Sequence, residues 1–113
     1  MATWNETKKI ALNFPGTEEK DHIETEAVRV KDKIFLQLSA QKSGTAVVKL
    51  PSHRQQELLA SDPISYSSPP HWGKFGWTEI SLKRLDKKTI KMLVEESWSS
   101  VAPKSLLKEF KKV

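Results

Sequence analysis

A chain of 113 residues, 37% hydrophobic and 29% charged, has the size and composition of one ordinary globular domain, too short for two cores and too apolar to stay disordered. Cysteine is absent, which excludes disulfides, thiolate metal sites and cysteine nucleophiles and fits a reducing compartment, with the cytoplasm as the default. The net charge of +5 is uneven: residues 1–82 carry ten Lys/Arg and ten Asp/Glu, whereas residues 83–113 carry nine against four. No apolar run spans a membrane and no charged-then-apolar leader opens the chain, so neither a membrane partner nor secretion is expected.

Thr3-Trp4-Asn5-Glu6 reads as a capping box at the start of a helix. Trp4, Thr7, Ile10, Ala11 and Phe14 follow at helical spacing, and Pro15-Gly16 ends the helix. Residues 17–21 read as an acidic surface loop. Three strand candidates come next, Glu24–Val30, Lys33–Ser39 and Thr45–Leu50, with Lys31-Asp32 at a tight hairpin turn and Gln41-Lys42-Ser43-Gly44 at a second. Alternation places Val28, Val30, Ile34, Leu36, Leu38, Ala46, Val48 and Leu50 inward, with Phe35 and Gln37 on the other face.

Pro51 and Ser52 open a second helix, where Ser52 and Gln55 suggest another capping box. Leu58 and Leu59 form its inner face, and Asp62-Pro63 stops it. Ile64-Ser65-Tyr66 is a short extended segment, and Phe75–Leu82 is the last strand, with Gly76 marking a bulge. Asp86 caps a third helix with the stripe Ile90, Leu93, Val94, Ser97, Trp98 and Val101. Pro103 begins a fourth through Leu106, Leu107 and Phe110. The order α-β-β-β-α-β-β-α-α, with no parallel crossover, predicts an α+β two-layer sandwich: an antiparallel sheet with helices on one face, as a single domain over 1–113.

The stretch from Ser67 to Ile80 has the most unusual composition, with Pro69-Pro70, His71, Trp72, Gly73, Lys74, Phe75, Gly76 and Trp77. The prolines stiffen the approach, and the tryptophans read first as core residues and second as a recognition surface.

These residues carry a resemblance. A helix ending Phe14-Pro15-Gly16-Thr17-Glu18-Glu19 precedes Arg29-Val30-Lys31-Asp32-Lys33-Ile34-Phe35 and Val48-Lys49-Leu50. Leu58-Leu59, Asp62-Pro63, His71-Trp72-Gly73-Lys74-Phe75-Gly76-Trp77 and Glu96-Ser97-Trp98 before Val101-Ala102-Pro103-Lys104 complete the order. Together they resemble the MmcQ/YjbR family over nearly the whole chain. The resemblance implies a compact α+β fold of the type III secretion chaperone-like or CyaY-like kind, also compared with a double-wing DNA-binding module; it brings no catalytic residues. Where relatives often carry an aromatic or Gly-Arg phrase after the position of His22, this chain has Ile23-Glu24-Thr25-Glu26, whose carboxylates disfavour an anion there.

His22, His53 and His71 are the obvious general bases, but none has a histidine partner at helical spacing. Nucleophile elbows, phosphate-cradling glycine loops and dinucleotide fingerprints are absent. A non-enzymatic binding module with no cofactor and no metal is therefore expected, as a monomer or weak dimer. One reading is DNA binding through a basic C-terminal surface and the aromatic loop, using His71, Trp72, Lys74, Trp77, Arg29, Lys87 and Lys91. The other is a protein partner or chaperone-like role anchored by Trp72, Phe75 and Trp77.

Overall fold

Thr3 begins the first helix as expected: its side chain accepts from Glu6 N–H at 3.1 Å while Glu6 accepts from Thr3 N–H at 3.1 Å. This computed structural model describes residues 2–20, 25–39, 42–69 and 73–111. Along the chain they form α1 (Trp4–Leu12), β1 (Thr17–Glu19), β2 (Ala27–Val30), β3 (Lys33–Leu38), β4 (Thr45–Lys49), α2 (Ser52–Ser61), β5 (Tyr66–Ser67), a 3-10 turn (Gly73–Phe75), β6 (Trp77–Ser81), α3 (Lys87–Val101) and α4 (Lys104–Lys111). The strands make one six-stranded antiparallel sheet in the order β1-β2-β3-β4-β6-β5. This is the α+β sheet-and-helix architecture that the pattern predicts, with one strand more. The extra strand is β1: residues 17–19, read as a loop, pair along the free edge of β2, with Thr17 opposite Val30 and Glu19 opposite Val28. Edge strands need only one apolar face, so an exposed, acidic sequence hides them from a periodicity argument.

Helices α1 and α3 pack on each other and on the sheet. Val28, Leu36, Val48 and Ile80 meet Ala11, Ile90, Leu93, Val94 and Trp98 in the core. Beyond them Phe14 stacks on Trp98 at 5.4 Å between ring centres, and Phe110 of α4 closes on both rings at 5.6 and 5.1 Å. The Trp98 indole N–H, otherwise orphaned in this apolar setting, donates to Pro15 O at 3.1 Å.

The alternation expected along β3 is interrupted. Val28 faces Leu36 but Arg29 faces Ile34, so Phe35 is an inserted residue, and Phe35 and Leu36 are both fully buried while Ile34 is only half-buried. A bulge turns two successive side chains toward the same layer, which reverses the inward and outward roles expected for Ile34 and Phe35. At Lys31 and Asp32 both φ angles are positive, 49° and 68°, the twist a two-residue hairpin requires.

Two other expectations change. Ser52 does not cap α2: Pro51 occupies the N-cap position and no side chain bonds there. The last strand starts at Trp77 rather than Phe75, because Gly73–Phe75 winds into the 3-10 turn and Gly76, at φ 94°, reverses the chain into β6.

Candidate functional site

The register brings one end of the sheet together. Val30 faces Lys33, Leu36 faces Val48, and Lys49 faces Trp77, so the β2–β3 turn, the exit of β4 and the start of β6 share that end. Helix α3 arrives there with its last turn, where Ser100 Oγ donates to Lys49 O at 3.1 Å. Lys31, Lys33, Lys49 and Lys74 thus gather at the same end, with Asp32 the acidic residue of the hairpin turn.

Between the β4–α2 junction and the 3-10 turn lies an open groove of about 280 Å³, lined by Lys49, Leu50, Pro51, Ser52, Lys74, Phe75, Gly76 and Ser100. The lining contains two cations and no acid. Lys49 Nζ sits 5.9 Å from the centre of the Trp77 ring, and Lys74 Nζ sits 5.2 Å from that of Phe75. Among the described residues neither ammonium pairs with a carboxylate. Phe75 is 57% exposed.

The walls are tied to each other by backbone bonds. Leu50 N–H donates to Gly76 O at 2.8 Å, and Gly76 N–H donates to Gly73 O at 3.0 Å. A Cβ on Gly76 would fall on the Leu50 carbonyl oxygen, so this close approach demands glycine. From α2, the buried Gln55 amide reaches across to donate to Gly73 O at 3.1 Å and Trp77 O at 2.8 Å. Gln55, read from sequence as half of a capping box, in fact holds the turn in place. Ser97 does the equivalent on the α3 side: its buried hydroxyl donates to Phe35 O at 2.5 Å and accepts from Lys49 N–H at 2.9 Å.

Charge near the groove is biased by pairing. Glu96, one turn before Ser100, is clamped by Arg54 through Nε at 2.8 Å and a second guanidinium nitrogen at 3.2 Å. Glu96 in turn holds the Arg54 guanidinium above its ordinary pKa. The guanidinium thereby offsets the carboxylate's charge.

The residues singled out from sequence divide. Lys74 lines the groove, and Trp77 is half-buried beside Lys49, outside both the groove's lining and the apolar core. His71 and Trp72, like His22, lie outside the described residues. Arg29 is at the same end of the sheet but is occupied locally, donating to Lys20 O at 3.4 Å and Asp32 O at 3.1 Å. Lys87 and Lys91 are elsewhere. They begin α3, and Lys87, thirteen residues or about 20 Å along the helix from Ser100, is bonded to Glu6 of α1. Lys49, Ser52 and Ser100 were missed because each looks like an ordinary surface residue in its own element; only the convergence of β4, α2 and α3 unites them. Among the described residues no group of three or more His, Asp or Glu side chains could hold a metal ion, and no helix is long and apolar enough to cross a membrane.

A small α+β domain with an antiparallel sheet, helices on its core face and a cationic groove at one sheet end defines the class of protein. The YjbR family profile matches residues 12–100, and the chain belongs to that family. A crystal structure of the Deinococcus radiodurans protein DR2400, described as a DUF419 domain, has the same fold, with a TM-score of 0.76 at 18% identity over 87% of this chain and 77% of that one. A comparison with curated protein sequences gives no match.

Proposed function

We propose that this protein is a non-enzymatic module that binds nucleic acid, with DNA the nominal ligand, through the cationic end of the sheet rather than through the basic C-terminal quarter as a whole. The observation that carries this reading is the groove lined by both Lys49 and Lys74 with no carboxylate in its lining. Cations so arranged neutralise backbone phosphates, and each phosphate contact releases condensed counterions, so affinity falls steeply with salt. Lys31 and Lys33 on the adjoining hairpin extend the basic surface. The lysines that open α3 contribute less, because they stand at the opposite end and Lys87 is committed to Glu6.

The test is fluorescence anisotropy of labelled DNA and RNA across a salt series. Binding whose logarithm falls linearly with the logarithm of salt supports the reading. Absence of binding even at low salt overturns it and leaves the groove to a protein partner.

A further inference from the structure

We propose that α4 is a clasp: it undocks as a unit about the Ala102–Pro103 junction and uncovers the stacked Phe14 and Trp98 rings while the sheet and α1–α3 stay folded. This opening is independent of the nucleic-acid reading. Helix α4 is seated by one apolar stripe, Leu106, Leu107 and Phe110, each of them only half-buried. Leu106 lies against Gly16, and Phe110 closes on the rings of Phe14 and Trp98 at 5.6 and 5.1 Å. Among the described residues no hydrogen bond or ion pair joins a side chain between Lys104 and Phe110 to the rest of the molecule. The other helices carry polar ties as well. Glu6 of α1 bonds Lys87 of α3, Arg54 of α2 clamps Glu96 of α3 at 2.8 Å, and Ser97 and Ser100 fasten α3 to the sheet.

The junction already separates the two helices. Ala102 N–H donates to Trp98 O at 2.7 Å and completes α3 without help from α4. Ala102 then leaves the helix at ψ 144°, the extended conformation that a residue before proline favours. On the other side, the amides of Leu106 and Leu107 donate to Pro103 O at 3.0 and 3.2 Å, so the first turn of α4 is closed within itself. Undocking therefore separates apolar surfaces and strands no buried polar group, since the Trp98 indole is satisfied by Pro15 O and not by α4. A helix of eight residues is too short to be stable alone, so α4 stands or falls with its seat. Elements held by few buried apolar contacts are those that open below the global unfolding energy.

The test is hydrogen exchange of the intact protein, followed residue by residue by NMR at several low urea concentrations. The α4 amides are expected to exchange at least about a hundredfold faster than the slowest amides of α3, through an opening that hardly responds to urea because it exposes little surface. The Trp98 indole N–H, beneath Phe110, is expected to exchange with α4 rather than with the α3 backbone. Phe110→Ala is expected to move the α4 amide shifts toward random-coil values while those of α1, α3 and the sheet stay dispersed. Phe110→Leu, which keeps an apolar anchor, is expected to keep α4 seated. Exchange of α4 only together with α3, at the same urea slope, overturns the inference, as does unfolding of the whole chain by Phe110→Ala. Protection lost only in the last turn, with the Trp98 indole still slow, is fraying of a helix end and overturns it too.

Discussion

At the scale of single residues, the groove depends on two positions that make no contact with a ligand in the proposed scheme. Gly76 adopts φ 94° and its Cα faces the Leu50 carbonyl, so Gly76→Ala combines a left-handed backbone with a collision. The substitution is expected to cost more than about 1 kcal/mol, read as a lowered urea midpoint; an unchanged midpoint would show that the turn reshapes freely. Gln55 is the second. Its amide donates to two carbonyls from a buried position, so Gln55→Leu strips that donor from Trp77 O while Gly73 O keeps the Gly76 N–H, and is expected to cost about 1–3 kcal/mol in the same measurement. Neither role is readable from the local sequence: the glycine is visible as a turn signal, but the partner that forbids a side chain lies twenty-six residues earlier at Leu50.

At the scale of elements, the hairpin and the helix starts carry separable energies. Lys31 and Asp32 both hold positive φ, a conformation that costs an L-residue about 1–2 kcal/mol. Replacing the pair by Asn-Gly, which prefers this turn, is expected to raise stability by roughly 1 kcal/mol. A lowered melting temperature would instead mean that the native side chains stabilise the turn.

The helices are pinned by carboxylates whose pKa values lie below the ordinary range. Lys87 lowers that of Glu6 where α1 and α3 begin, and Lys8 lowers that of Glu26 where β2 approaches α1. Each carboxylate therefore binds its proton less readily folded than unfolded. Their contribution is fully present above the ordinary carboxylate value of 4.5 and is lost as pH falls below it through the folded pKa. Urea midpoints measured from neutral pH to about pH 3 are expected to hold and then decline below about 4.5; a flat profile would mean that these pairs add nothing to stability.

At the scale of the whole molecule, the excess charge of +5 is distributed by the fold rather than by the chain order. The nine basic residues after position 82 look like one patch in sequence, yet α3 separates its own lysines at one end from the α3–α4 junction at the other. Reversing the groove with Lys49→Glu and Lys74→Glu is expected to abolish nucleic-acid affinity. The pair Lys87→Glu and Lys91→Glu should lower it only modestly, through the long-range field. The two double variants compared at one salt concentration decide the matter, and equal losses would return the site to the α3 lysines.

Much of this architecture was legible in the residues themselves. The capping boxes and prolines mark where helices start and stop, and the boxes are strong signals because they satisfy donors within a single turn: Thr3 with Glu6 behaves as its spacing predicts. Helical and strand periodicities likewise identify α1, α3 and the meander, since burial on one face is a property of the element alone. The same local logic misassigns Ser52 with Gln55, because Gln55 has better partners across the fold. It also misses the bulge at Phe35, which only a neighbouring strand can impose. What tertiary structure alone decided is which cations share a surface. Charge is written along the chain, but electrostatic potential is summed through space, and the turn of the sheet that brings Lys49 to Lys74 also carries Lys87 away.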